Sequence, residues 1–146
     1  MSKVITKQDL NKVFWRGIFM QFSWNYERMQ ALGYCWTILP VLKKIYKDDS
    51  QGLKSAVTRN LEFFNTHPYM AMPIMGISLA MEEAASDGEE VDGNAISSVK
   101  VALMGPLAGI GDSFFWFTFV PNLCRYWCFF IDRWKHFRTI SVLVVI

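Results

Sequence analysis

The chain has 146 residues, of which 52% are hydrophobic and 16% aromatic, with a formal charge of +2. That length accommodates one domain with a real core, and so small a charge, with no basic stripe interleaved with aromatics, sets nucleic acid aside. The apolar residues fall in runs instead of alternating with charge, which tilts the reading towards a membrane or an obligate partner. Three cysteines, Cys35, Cys124 and Cys128, make an odd set that implies no disulfide framework. With His136 the last two would still lack a fourth zinc ligand and fit no finger spacing, so no metal or other cofactor is expected.

Met1 to Leu10 contains no apolar signal-peptide core, and the N-terminus reads as cytoplasmic. After Thr6, the spacing of Leu10, Val13, Phe14, Ile18 and Phe19 predicts a helix with one apolar face and with Lys7, Lys12 and Arg16 on the other. Such a helix either lies in a membrane surface, packs on a membrane-embedded partner, or is an ordinary core helix. A second, aromatic-rich helix is expected to begin near Ser23, with Asn25, Glu27, Arg28 and Gln30 interrupting it and Pro40 ending or kinking it. From Val41 to Arg59 basic residues outnumber acids, which reads as a solvated cytoplasmic face.

Leu61 to Met81 has no charge after Glu62 and carries Pro68 and Pro73, making it one candidate for membrane depth. Asn65, Thr66 and His67 precede Pro68, where side chains and freed carbonyls could face a polar ligand. His67 has no companions for catalysis or metal binding and reads as a hydrogen-bonding residue. Glu82 to Asn94 is acid-rich and Gly-containing, which predicts an aqueous loop, with Asp92 or Asn94 capping the next helix.

The run Val101 to Pro121 is the second membrane-depth candidate, long enough at about 20 residues to span a bilayer. Gly105, Pro106, Gly109 and Gly111 lie in its first half, so a broken helix is expected there, tolerable only where protein or a wet cavity covers the freed backbone. Asp112 sits at that break, and a carboxylate at membrane depth reads by default as functional. The competing reading makes Met104–Asp112 a loop before a soluble helix capped by Asp112 or Ser113. Beyond Pro121, bulky aromatics and cations alternate without period, no Gly or Ala occurs, and the closing Ile140–Ile146 run is too short to span.

Three blocks read together, Ser23-Trp-Asn-Tyr-Glu-Arg-Met-Gln-Ala-Leu-Gly33, Leu61-Glu-Phe-Phe-Asn-Thr-His-Pro68 and Gly105-Pro-Leu-Ala-Gly-Ile-Gly-Asp112. Together they resemble the IID component of the mannose/fructose/sorbose-type sugar phosphotransferase system, in order from Ile5 to Pro121. The resemblance implies a mainly α, membrane-embedded protein with broken or re-entrant helical hairpins in the bacterial inner membrane. It implies partnership with a IIC membrane subunit, and a higher oligomer, in uptake of a hexose or amino sugar. Cytoplasmic A and B components would carry the phosphoryl group, so no catalysis is expected in this chain. Family members are longer, and residues 122–146 depart from their Gly- and Ala-rich continuation, so 1–121 reads as the N-terminal part of a IID subunit and the remainder as an aberrant tail. Sugar hydroxyls would be met by Trp24, Asn25, Asn65, Thr66 and Asp112, amides and a carboxylate beside an aromatic face. For each of these a structural role, capping a broken helix or bonding IIC, competes. The rival class is a small membrane-associated interaction or regulatory protein without transport activity. A soluble enzyme finds no nucleophile–base pair, metal cluster or phosphate loop.

Overall fold

The computed structural model describes residues 4–88 and 91–144, with side chains described as far as Arg133. Residues up to Gly109 form one compact unit and those from Ile110 a second. The first holds α1 (Lys7–Gly17), a 3-10 turn (Met20–Ser23), α2 (Ala31–Ile45), α3 (Ser50–Asn60), a second 3-10 turn (Pro68–Met70) and α4 (Ala71–Ser86). It also holds the greater part of α5 (Gly93–Phe114). No strand occurs among the described residues, only isolated bridges at Asn25–Met29 and Met29–Phe64.

Helix α1 starts at a capping box: Thr6 Oγ1 accepts from the Asp9 amide and the Asp9 carboxylate accepts from the Thr6 amide. The Lys44 ammonium, with the Thr6 hydroxyl, holds the Asp9 carboxyl well below the usual carboxylate range. Only Val13 and Gly17 of α1 are buried, while Leu10, Phe14, Trp15, Ile18 and Phe19 face outward. The apolar face is therefore only partly covered: Val13 joins the core, while the large side chains beside it stay exposed.

Helix α2 is the hub, touching α1, α3, α4 and the first 3-10 turn. It begins at Ala31 and not near Ser23, because the side chain of Asn25 takes the backbone donors that a helix would have used. Gly33 lets the 3-10 turn lie against it: a Cβ there would collide with the Met20 carbonyl and the Ser23 hydroxyl. Pro40 neither ends nor stops the helix. It removes the donor for the carbonyl of Trp36 four residues back, and the Arg16 guanidinium supplies a substitute at 2.8 Å while lying 3.8 Å over the Trp36 ring. The expected solvated stretch after Val41 is two-sided, with Val41, Leu42, Tyr46 and Ala56 in the core.

Several expectations of broken segments are corrected here. Pro68 opens the second 3-10 turn, but Pro73 sits in the first turn of α4, where a missing N–H costs nothing. At 16 residues α4 is a core helix that buries Ala71, Ile74, Met75, Ser78, Leu79 and Glu82. The helix also continues through Gly105, Pro106, Gly109 and Gly111, which excludes the loop reading of Met104–Asp112. Proline's fixed φ is itself helical, so one lost hydrogen bond is tolerated where neighbours support the turn. Leu103, Met104 and Leu107 supply that support by packing against the core.

In the second unit the irregularity lies later, in a π-helical turn at Phe115–Phe119, before α6 (Val120–Val144). Thr118 Oγ1 donates to the Ser113 carbonyl five residues back at 3.0 Å, satisfying an acceptor that the wider turn frees. Among the described residues one helical run, Gly93–Arg133, is long and apolar enough to cross a membrane, and its 18-residue apolar window has a mean hydropathy of 1.2 and is 6% buried. It extends past the expected end at Pro121 into the aromatic tail. The side chains of the Ile140–Ile146 run lie outside the described residues.

The acid-rich stretch after Met81 is not a loop from its start, since α4 continues to Ser86 and Glu82 is wholly buried. Its carboxylate accepts from Arg59 Nε at 2.8 Å and Nη2 at 2.5 Å, the Tyr46 hydroxyl at 2.8 Å and Asn60 Nδ2 at 3.0 Å. Burial and the adjacent carboxylate raise the Tyr46 phenol, which stays a donor. Lys100 of α5, also buried, donates to the Arg59 carbonyl at 2.8 Å. Nearby, Glu83 accepts from the amides of Val4 and Ile5 and ties down the segment before α1. Arg59→Met should cost about 3–5 kcal/mol in chemical unfolding of the detergent-solubilised chain, and Arg59→Met with Glu82→Met should recover much of it. Gly33→Ala should cost about 1–3 kcal/mol in the same measurement, because the obstructing atom is backbone.

Candidate functional site

Two loops that the sequence blocks single out meet in the first unit. In the first, Asn25 Oδ1 accepts from the amides of Glu27 (3.1 Å) and Arg28 (2.8 Å), and the Asn25 amide donates to the Met29 carbonyl at 3.1 Å. The turn closes with Met29 at φ 53°, a left-handed conformation that costs a non-glycine residue roughly 1–2 kcal/mol. That twist sets Met29 beside Phe64, and the Gln30 amide donates to the Phe64 carbonyl at 2.9 Å.

Gln30 then completes the seam. Its side-chain amide donates to the Thr66 carbonyl at 2.8 Å and accepts from the Thr66 amide at 3.0 Å, imitating a strand partner inside the protein. Thr66 Oγ1 donates to the Met104 carbonyl at 3.0 Å, and the Asn65 amide meets the Met104 sulfur at 3.2 Å. Arg28 Nη1 closes the outer end by donating to the Leu61 carbonyl at 3.2 Å. The second loop is thereby held between the first loop and the turn of α5 that precedes Gly105 and Pro106.

Of the five residues expected to meet sugar, the fold brings Asn25, Asn65 and Thr66 to this seam with Trp24 at its edge. Their availability differs. Asn25 spends its carbonyl oxygen on two backbone amides, and Thr66 is buried with its hydroxyl engaged. Trp24 is 42% exposed and meets Tyr26 edge to face at 4.7 Å, and the Asn65 side chain is exposed. Asp112 belongs to the second unit, half-buried on α5 one turn before the π-helical turn, and its carboxylate makes no hydrogen bond or ion pair with the described residues. Its neighbours Phe114, Trp116 and Phe117 face outward, so the carboxylate stands on an otherwise apolar stretch.

Sequence reasoning passed over Gln30 as one more polar interruption. The available signal was its place directly before the apolar start of α2, where a buried amide needs partners. It likewise missed Glu82, whose partner Arg59 lies 23 residues earlier in the chain. Gln30→Met should leave both backbone groups of Thr66 buried without partners. At about 2 kcal/mol for such a loss, the Thr66 amide should exchange with solvent hydrogen roughly 30-fold faster, while amides in α3 keep their protection. Unchanged exchange would remove Gln30 from this role.

Comparison with known proteins places these features in a lineage. Residues 4–128 match the model of the PTS system mannose/fructose/sorbose family IID component. The chain is 49% identical over 120 residues to the PTS system mannose-specific EIID component of Escherichia coli K12, covering 82% of this chain and 42% of that protein. It is 45% identical over 122 residues to the fructose permease IID component of Bacillus subtilis 168, covering 84% and 44%. A chain in the cryo-EM structure of the mannose transporter ManYZ with microcin E492 superposes with a TM-score of 0.78 at 48% identity, over 81% of this chain and 43% of that one. This chain thus spans under half the length of the curated relatives it matches. Across nearly all of its described length, it belongs to the mannose/fructose/sorbose family of phosphotransferase-system IID components.

Proposed function

We propose that this chain is the N-terminal portion of a IID membrane subunit that acts with a IIC subunit, in a higher oligomer, to carry a hexose or amino sugar into the cell. Phosphoryl transfer belongs to cytoplasmic A and B components, and this chain contributes binding and gating. The observation that carries the reading is the likeness to a chain of the mannose transporter ManYZ, with a TM-score of 0.78 at 48% identity. The helical run Gly93–Arg133 supports placement in a bilayer, the bacterial inner membrane. The excess of Lys and Arg between Val41 and Arg59 favours a cytoplasmic N-terminus.

Within that reading the five residues divide by what they have left to offer. Trp24 and Asn65 present an aromatic face and an exposed amide, the pair of surfaces a sugar ring needs. Asn25 and Thr66 position them by fixing the two loops. Asp112 is the carboxylate of the transport path, placed by an apolar helix where charge is tolerated only for use. We place the boundary between the IID part and a compositionally different tail at 121/122. Reading the coding DNA in the other two frames beyond codon 121 tests this, since a Gly- and Ala-rich apolar continuation is expected in one of them and its absence from both would refute it.

Co-expression with a IIC partner in cells lacking their own IID is the direct test. The chain should co-purify with IIC in detergent, and failure to do so would overturn the assignment. In a full-length relative, Asp112→Asn should lower sugar uptake by about 10-fold or more, the size of one lost charge-assisted hydrogen bond, with no loss of assembled IIC. Unchanged uptake would take Asp112 off the path.

A further inference from the structure

One surface of the first unit is used neither by the core nor by the loop seam. Trp15 on α1 is 60% exposed and Ile18, just past its end, 51%, and the 3-10 turn that follows adds Phe22 at 84%. On the outer side of α2, Leu32 and Trp36 continue this surface. Between the two lies a groove of about 380 Å³ lined by Phe19, Phe22, Ser23, Leu32 and Trp36. An apolar patch of this extent, left open to water, marks a surface with a partner.

The charges around it indicate which. Across α1 and α2 there is a single acid, Asp9, against Lys7, Lys12, Arg16, Lys43 and Lys44. Asp9 is already neutralised by Lys44, at 2.6 Å. Lys7, Lys12 and Lys43 are exposed and form no ion pair with the described residues. Aromatic side chains bordered by unpaired ammonium groups match the boundary of an anionic bilayer, where indole and phenyl rings settle at headgroup depth and lysines meet phosphate. The centre of a protein interface, in contrast, is poor in lysine.

We propose that α1, the 3-10 turn and the outer face of α2 form an in-plane anchor on the anionic bilayer surface, with the groove receiving acyl chain and Lys7, Lys12 and Lys43 contacting lipid phosphate. This rests on the reading of the chain as a membrane subunit, and the test separates the two. Nitroxide labels are placed one at a time through Phe22→Cys, Trp15→Cys, Lys54→Cys on α3 and Phe117→Cys on the apolar run, in the full chain carrying Cys35→Ala, Cys124→Ser and Cys128→Ser. The protein is reconstituted in vesicles of phosphatidylethanolamine and phosphatidylglycerol, and collision with oxygen and with a water-soluble nickel chelate is read by power saturation. Positions 15 and 22 should favour oxygen and position 54 the nickel chelate. Lys7→Glu with Lys12→Glu and Lys43→Glu should shift position 22 towards nickel while leaving position 117 unchanged.

Nickel access at position 22 in the unmodified surface would overturn the anchor in favour of water. Exclusion of both reagents there would overturn it in favour of a protein cover, from IIC or a second copy. If position 117 also favours nickel, the membrane reading itself fails and the anchor with it. Oxygen access at 117 with nickel access at 22 defeats the anchor alone.

Discussion

A carboxylate removed from water must find its donors in the protein, and Glu82 finds them on two other helices. Arg59 and Asn60 at the end of α3 and Tyr46 at the end of α2 converge on it from outside its own helix. Lys100 then ties α5 to the same place by bonding the Arg59 carbonyl. The desolvation cost of such an ion is large and is offset only while every donor is in place. That requirement fixes the mutual positions of four helices, and with them the turn of α5 against which Thr66 and Asn65 rest. The apolar contacts around Tyr34, Ile38, Leu42 and Leu79 fill space, but they would accept more than one register. The hydrogen-bonded carboxylate is far less permissive.

The loop seam follows the same logic on a smaller scale. An amide side chain at Gln30 stands in for a strand, and a methionine in a left-handed conformation turns the chain so that it can do so. The second loop sends Phe64 into the core against Tyr34, and hydrogen bonds hold the rest of both loops. Backbone groups in each are satisfied by its own side chains, by the other loop or by α5. The side chains left exposed on these loops include Trp24, Tyr26, Phe63 and Asn65.

Much of this was legible in the residues, though unevenly. The helix after Thr6 and the cap at Asp92 were written in local spacing, and the family was written in three blocks of unusual residues. The prolines misled, because a rule about isolated helices cannot see that Arg16 replaces the donor lost at Pro40, or that Pro73 falls in a first turn. Glu82 was assigned to water since composition weighs it with its acidic neighbours, whereas its fate depends on side chains distant in sequence. The outward turn of Phe14 and Trp15 was equally invisible: periodicity identifies an apolar face but says nothing of which side the core will occupy. Gly105 to Gly111 looked like a break, and the departure from regular helix came at Phe115–Phe119, where no residue type announces it.

The bridge from Arg16 to the Trp36 carbonyl has a mechanical consequence. Peeling the first helix away from the second would strand an acceptor that Pro40 has deprived of its own helix's amide, and would also separate a cation from the indole beneath it. Any displacement of this corner during a working cycle is therefore carried by the two helices as a single lever, and the places that flex must be sought in the connections leading out of the pair.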